Sequence, residues 1–403
     1  MKNLVIELHE LIPYAINAAN SGEFGEVKNA TIGGVPRAVM SSQSIKYAMR
    51  SAMAQNNLRT NYYVNEIVNK CFELDESLTQ DIKFVKHILE SFGIALKTDT
   101  KKKGANDNNE PDDVDKLMNG IGVKSSTTEV TSRAEIEDIA KVVIDAYHDG
   151  CDKVETQKRL REMDRFVDLW TSAFGRMSTN ALFDTIEGAV QTSMSYSVDA
   201  FLHQTDYFTV VDSLQKKYEA GQSGAANMQD RSISANVMYR YMNISVETLA
   251  RNYKLLERIQ GEDVYNDKVA REFAEFVADL IIHFCYCHPV AKQHGMASMP
   301  TPAAVAIFAG KNIFPCTMDT AFNKAVQAGH QYSVAEAAAK RMVKWTNENM
   351  LREQYDSAVL WAPEIADCSD TVETRHVINN SYSYVKNDIV KMVLDYVAEL
   401  KNA

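Results

Sequence analysis

The 403-residue chain reads as an α+β protein, on three observations. Strand-like runs rich in apolar, β-branched and aromatic residues occur at Asn3–Leu11, Ala235–Tyr241 and 303–309, far apart in the chain. Stretches with helical periodicity separate them, notably 62–96, 133–147, 154–171 and Lys268–Tyr286. Strand–helix–strand elements interrupted by such long insertions favour an α+β core over a doubly wound parallel sheet.

The opening run Asn3–Leu11 alternates, with Leu4, Ile6 and Leu8 on one side. Residues 17–30 are small, polar and glycine-containing, hence a loop. Gly33-Gly34 marks a turn, followed by a short strand carrying Arg37. Ser41 or Ser42 then caps a helix over 43–56, its buried face made by Ile45, Ala48, Met49, Ala52 and Met53. Gln43, Lys46, Tyr47 and Arg50 share the opposite face.

The charges on that helix are the informative part. A helix start carries partial positive charge, so cations there cost roughly 0.3–1 kcal/mol each at an exposed site. Lys46 and Arg50 sit there nonetheless, with Lys28 and Arg37 upstream and no carboxylate between Lys28 and Arg50. Free N–H groups, hydroxyls and cations converging on one helix start suit a phosphate. An ordinary solvated helix face is the competing reading, and the residues by themselves leave both open.

Further along, Val64, Ile67, Val68 and Cys71, then Ile82, Val85, Ile88 and Leu89, fall in helical phase. Residues 98–132 turn polar after Lys101-Lys102-Lys103 and read as an exposed or disordered insertion, the lysines solvated. Residues 190–241 read as two strands flanking a polar excursion with a glycine-containing tip at 221–224. A helix from Ser245 to about Leu256, helices near 318–328 and 333–349, a strand at 357–361 and a helix from Val385 to Leu400 complete the chain. Met342 and Trp345 are core residues at helical spacing.

Hydrophobic residues at 45% and charged residues at 24% are those of a soluble globular protein. No apolar run approaches a membrane span and no signal-peptide layout opens the chain, so the expectation is cytoplasmic with no membrane partner. The six cysteines (Cys71, Cys151, Cys285, Cys287, Cys316, Cys368) are scattered, which favours reduced thiols. Cys285-Tyr286-Cys287-His288 lacks the spacing of a zinc site and reads as core, so no metal and no cofactor is expected. A net charge of −11 argues against a chain that coats nucleic acid with its whole surface, yet allows a local basic groove. Acid is concentrated at Asp107, Glu110, Asp112, Asp113 and Asp115.

The run Gly33-Gly34, a basic strand, then Ser41-Ser42-Gln43-Ser44-Ile45-Lys46-Tyr47-Ala48-Met49-Arg50 closely resembles the CasC family, the backbone subunits of type I-E CRISPR Cascade complexes. Gly175-Arg176-Met177 and Phe208-Thr209-Val210-Val211-Asp212 carry the same resemblance. It implies a modified RNA-recognition-motif (ferredoxin-like) palm with an inserted helical fingers domain and a long thumb hairpin. Residues 1–56, 171–202 and 237–403 would form the palm, 57–170 the fingers and 203–236 the thumb.

The resemblance further implies a protein that polymerises head to tail on CRISPR guide RNA, beside other Cascade subunits, and meets target DNA through the guide. Ser41, Ser42, Gln43, Lys46 and Arg50 would hold phosphates, Asn20, Lys28 and Arg37 assisting. Arg176 and Met177 would support the strand, and Tyr207, Phe208 and Thr209 would displace a base at intervals. Lys292 and Gln293 match a Gly-Ala-Lys-Gln loop in which Val290 replaces the glycine. Ser21-Gly22 stands where the family has an arginine–aspartate pair.

No catalytic motif is present: His9-Glu10 is followed by Pro13 rather than a second histidine, and no phosphate-binding glycine loop or nucleophile elbow occurs. The expectation is a non-enzyme. The alternatives are a metal-dependent ribonuclease backbone subunit of type III kind using Glu23 or Glu26, and a purely structural oligomer.

Overall fold

The alternating N-terminal run forms a ten-residue strand, β1 (Leu4–Pro13), inside an antiparallel sheet. The computed structural model describes residues 3–53, 57–94, 113–178, 183–210, 227–261, 263–311, 313–350, 357–361 and 382–402. The other strands among them are, in order, β2 (Asn29–Ile32), β3 (Val35–Met40), β4 (Asn57–Thr60), β5 (Glu129–Ser132), β6 (Val190–Thr192), β7 (Ser195–Ser197), β8 (Gln204–Val210), β9 (Asn227–Ile233), β10 (Val237–Ser245), β11 (Ala304–Lys311) and β12 (Ser357–Trp361). The chain divides into two compact units: Met1–Ala54, Val190–Glu247 and Ile259–Ala403 form the first, Gln55–Ala189 and Thr248–Arg258 the second.

The first unit holds the main sheet, in the order β12-β11-β1-β10-β7-β3-β2, with β6 also on β10. Helix α1 (Ser42–Ala52) follows β3, and the helix Lys268–Tyr286 joins β10 to β11. The path β1, α1, β6/β7, β10, Lys268–Tyr286, β11 is therefore β-α-β-β-α-β, with spatial order β11-β1-β10-β6/β7. That is the ferredoxin-like arrangement, in which both crossovers leave antiparallel neighbours. The β2–β3 hairpin and β12 extend its two edges.

Both faces of β1 are packed, which explains why its sequence is more apolar than a half-buried strand needs. On one face Leu11, Tyr239, Tyr241 and Phe308 join Met318, Phe322, Met342 and Trp345, the last two from the helix Val334–Met350. On the other, Arg240 lies over the Phe284 ring of Lys268–Tyr286 at 4.4 Å.

The buried polar residues of β1 find partners, as burial requires. Glu7 Oε1 accepts from the Tyr241 hydroxyl at 2.6 Å and from the Cys316 amide at 2.7 Å. His9 Nδ1 meets the Tyr239 hydroxyl at 2.9 Å, and burial holds its pKa down at about 3, so the ring is neutral. Glu10 faces Arg240 at 3.1 Å, both side chains fully buried.

The second unit is mainly helical. Helices Tyr63–Leu74, Ile82–Ser91, Arg133–His148 and Lys153–Glu162 enclose a core with Ile67, Phe84, Ile88, Ile139, Val143 and Leu160, beside the β4–β5 pair. Its boundary falls at Ala189 rather than at 170, and it takes in Thr248–Arg258. The reason is local: the Asn252 amide donates to the carbonyls of Ser172 and Glu187, tying those segments together.

The insertion expected over 98–132 is ordered where described. A helix at Asp113–Met118 and strand β5 lie inside it, anchored by buried Val114, Leu117 and Val123. Three apolar anchors among many polar residues left no periodic signal. Lys101–Lys103 and the acidic residues Asp107, Glu110 and Asp112 lie outside the described residues. The helix expected over 318–328 is only Asp319–Phe322, after which Val326 bridges Asp199. Among the described residues no helix is long and apolar enough to cross a membrane.

Candidate nucleic-acid interface

Helix α1 begins as its sequence dictates. Ser41 is the N-cap, and its Oγ accepts from the Ser44 amide at 3.4 Å. The same oxygen accepts from Asn20 Nδ2 at 3.1 Å, so the loop after β1 is fastened to the helix start. Ile45 and Met49 are buried, while Gln43 and Tyr47 are exposed and Ser42, Lys46 and Arg50 half-buried. The first turn holds no acid.

Lys46 Nζ donates to the Val190 carbonyl at 3.2 Å. Partial burial pulls its pKa below the usual lysine value, and the neighbouring Arg50 charge pulls it further. Two cations one turn apart repel each other, although Arg50, in the last turn of this short helix, lies at the end of the dipole that favours a cation. An anion lying along this face removes that repulsion.

Arg37 is not part of that surface. It is fully buried, its guanidinium donating to the carbonyls of Ser197 (2.8 Å), Val198 (2.5 Å), Phe322 (3.3 Å) and Asn323 (3.2 Å). Four carbonyls engage both terminal nitrogens, so the expected assistance to a phosphate is replaced by a structural tie between strand and loop. Lys28 is half-exposed, its carbonyl accepting from the Val39 amide at 2.8 Å.

In the second unit Arg176 is likewise internal. Its side chain has no exposed surface and bonds Glu135 at 3.0 and 2.7 Å, with the Val130 and Asp184 carbonyls both at 2.9 Å. Arg176 pairs with Ile186 as an isolated β-bridge, and the next residue, Met177, is 84% exposed. The expected cation at the strand is therefore an internal anchor, and Met177 is a displayed side chain rather than core filler.

The excursion is a two-stranded hairpin, β8 with β9. Tyr207, Phe208 and Thr209 are all exposed. Arg231, the register partner of Asp206 and so two positions from the Phe208 pair on the same side, forms an ion pair with Asp206 at 2.6 Å and lies 5.3 Å from the Phe208 ring. Arg231 was not legible in the sequence as a partner, because the register across the hairpin depends on the intervening tip. Residues 211–226, including Val211, Asp212 and Gly221–Gly224, lie outside the described residues.

Lys292 is exposed and takes a left-handed backbone, φ 53°. Gln293 Nε2 donates to the Ser298 carbonyl at 3.2 Å, closing that loop on itself. The structure thus gathers Asn20, Ser41, Ser42 and Gln43 at one helix start, with Lys46 one turn further on and Arg50 in the last turn of the same helix rather than near its start. Cys285 is buried at the end of its helix, and His288 Nδ1 accepts from Arg240 at 2.6 Å. The five described cysteines are all free thiols.

The family model described as CT1975-like protein matches residues 6–379. The chain belongs to this family. No curated protein matches it. Among solved structures, this family member is similar to a chain of a "CRISPR RNA-guided surveillance complex, pre-nicking", with TM-score 0.71 and 18% identity over 96% of this chain and 100% of that one. A chain of another "CRISPR RNA-guided surveillance complex" matches with TM-score 0.62 and 15% identity, over 96% and 99%. At such identities the likeness shows the fold: the α+β palm with its helical insertion.

Proposed function

We propose that this CT1975-like protein is the guide-RNA-binding backbone subunit of a type I-E CRISPR Cascade surveillance complex, acting without catalysis. The observation that carries the reading is α1 itself, with no acid in its first turn: the Asn20–Ser41 bond, Ser42 and Gln43 stand at its start, and Lys46 and Arg50 follow one turn apart along its face. Lys28, Lys292 and Gln293 add polar or charged reach. Both sheet faces are packed in this fold, so the strand runs along the helix start rather than across the sheet.

Copies assemble head to tail on the guide, an open heterologous arrangement suited to a linear ligand. Tyr207, Phe208 and Thr209 on the hairpin displace a base at intervals, and Met177 supports the strand. The guide segments between are left to pair with target DNA, so pairing reads sequence while the protein reads backbone. The surveillance-complex likeness of the fold supports this reading.

The ribonuclease alternative is weakened by Glu26, whose carboxylate is engaged by the Phe24 amide at 3.0 Å. The decisive variant is Lys46→Glu with Arg50→Glu, which turns two phosphate contacts repulsive. Loss of co-purifying RNA and of high-mass assembly is expected; unchanged RNA content and assembly size refutes the proposal.

A further inference from the structure

The loop between β1 and β2 presents the most exposed large apolar side chain among the described residues: Phe24, at 91%. The turn beneath it is built, not slack. Gly22 N donates to the Glu26 carbonyl at 2.7 Å, Gly25 N donates to the Gly22 carbonyl at 3.3 Å, and Ser21 bridges Val27. Gly25 adopts φ 82°, a conformation other residues resist. Glu26 folds back so that Oε2 accepts the Phe24 amide at 3.0 Å. Its Oε1 lies 1.8 Å from where a Cβ on residue 22 would stand, so only glycine leaves room for this brace.

The root of the turn is equally fixed. Val27 and Ala19 are buried with Ile12, Met40 and Met238. Asn17 Nδ2 donates to the carbonyls of Ala15 and Ser234, joining the loop to the end of β9. Asn20 donates to Ser41 at the start of α1. A phenylalanine is therefore held out in water by a rigid turn that is itself bonded to the cationic helix start.

We propose that Phe24 stacks on a base of single-stranded RNA whose phosphates lie along α1, an inference that rests on the RNA-binding reading above. Stacking needs one ring face and tolerates any base, which suits a guide of arbitrary sequence. A protein partner would need a contiguous apolar core, and Phe24 is flanked by Gly22, Glu23, Gly25 and Glu26 instead.

The test uses the full chain and a short single-stranded RNA of mixed sequence, titrated by fluorescence anisotropy across a salt series. Phe24→Ala should weaken binding about 5- to 100-fold, Phe24→Leu should match it, and Phe24→Tyr should stay near wild type. The salt slope should be unchanged in all three, since no phosphate contact is lost, whereas Lys46→Ala should flatten it by about one contact. Phe24→Leu binding as well as Phe24→Tyr, with assembly size falling only for Phe24→Ala, would assign the ring to a neighbouring copy and overturn the inference. Wild-type affinity for Phe24→Ala overturns it while leaving the RNA-binding reading intact. A wild-type chain that binds no RNA overturns both.

Discussion

Arg176 offers the sharpest test of how the interface is built, because a basic residue in a CasC-like motif invites the reading that it touches RNA. In the structure its guanidinium is fully buried, Nη1 donating to both Glu135 oxygens at 3.0 and 2.7 Å and to the Val130 carbonyl, and Nε to the Asp184 carbonyl. Arg165, also buried, stands 3.9 Å from the same carboxylate, and both guanidinium groups lie over Phe183. Arg176→Ala removes the partner that holds the Glu135 carboxylate most closely and strands two carbonyls.

Breaking a buried pair from one side costs about 3–5 kcal/mol. Arg176→Lys keeps the charge and one nitrogen for Glu135 but loses the Nε–H that bonds the Asp184 carbonyl, so a smaller loss is expected. Urea unfolding followed by circular dichroism reads the loss, and RNA binding across a salt series is measured under folding conditions. The salt slope should not change for either variant. Wild-type stability in Arg176→Ala together with a slope reduced by about one contact would refute the anchoring argument and return the guanidinium to the RNA.

Three further outcomes are expected. His9 and His288 both have folded pKa values of about 3 because of burial, below the unfolded 6.5, so the unfolded chain binds more protons between those values and stability rises with pH there. The carboxyl of Glu10 is raised by burial and opposes this, leaving a net loss on the order of 1.4 kcal/mol per pH unit on acidification from pH 6 to 5; thermal unfolding that is flat over this range contradicts neutral buried histidines. Gly33→Ala should destabilise by roughly 1–3 kcal/mol from its φ of 60° alone, and its new Cβ would meet the Asn323 carbonyl, a partner of Arg37; an unchanged urea midpoint would show that the β2–β3 turn is not pinned there. Arg231→Ala removes a partly exposed ion pair and its ring contact to Phe208, so β8 and β9 amides should exchange faster while global stability falls by under about 1 kcal/mol; unchanged exchange in 204–210 would show that Arg231 does not brace the hairpin.

Local signals were readable wherever the deciding interaction lies within a few residues. The Ser41 cap, the Ile45–Met49 stripe and the acid-free first turn are all contained in a dozen residues, and the structure bears them out. The span Lys268–Tyr286 was likewise legible, its apolar face being long and regular. The segment 113–132 was not, since a few buried apolar residues among polar ones carry no period.

By itself, then, the amino-acid sequence determined the α+β class, the strand β1, the helix starts and the concentration of cations at α1. It could not distinguish Arg37, Arg176 and Lys46, three cations in similar motif company. Arg37 is met by carbonyls from Ser197 to Asn323, Arg176 by Glu135, and Lys46 by the Val190 carbonyl beside another cation. Those partners lie 41 to 286 residues away, so their bonds exist only once the chain has folded. The same holds for Phe24: its ring is an unremarked letter in a loop until Gly22, Gly25 and Glu26 close a turn that leaves it nothing to pack on.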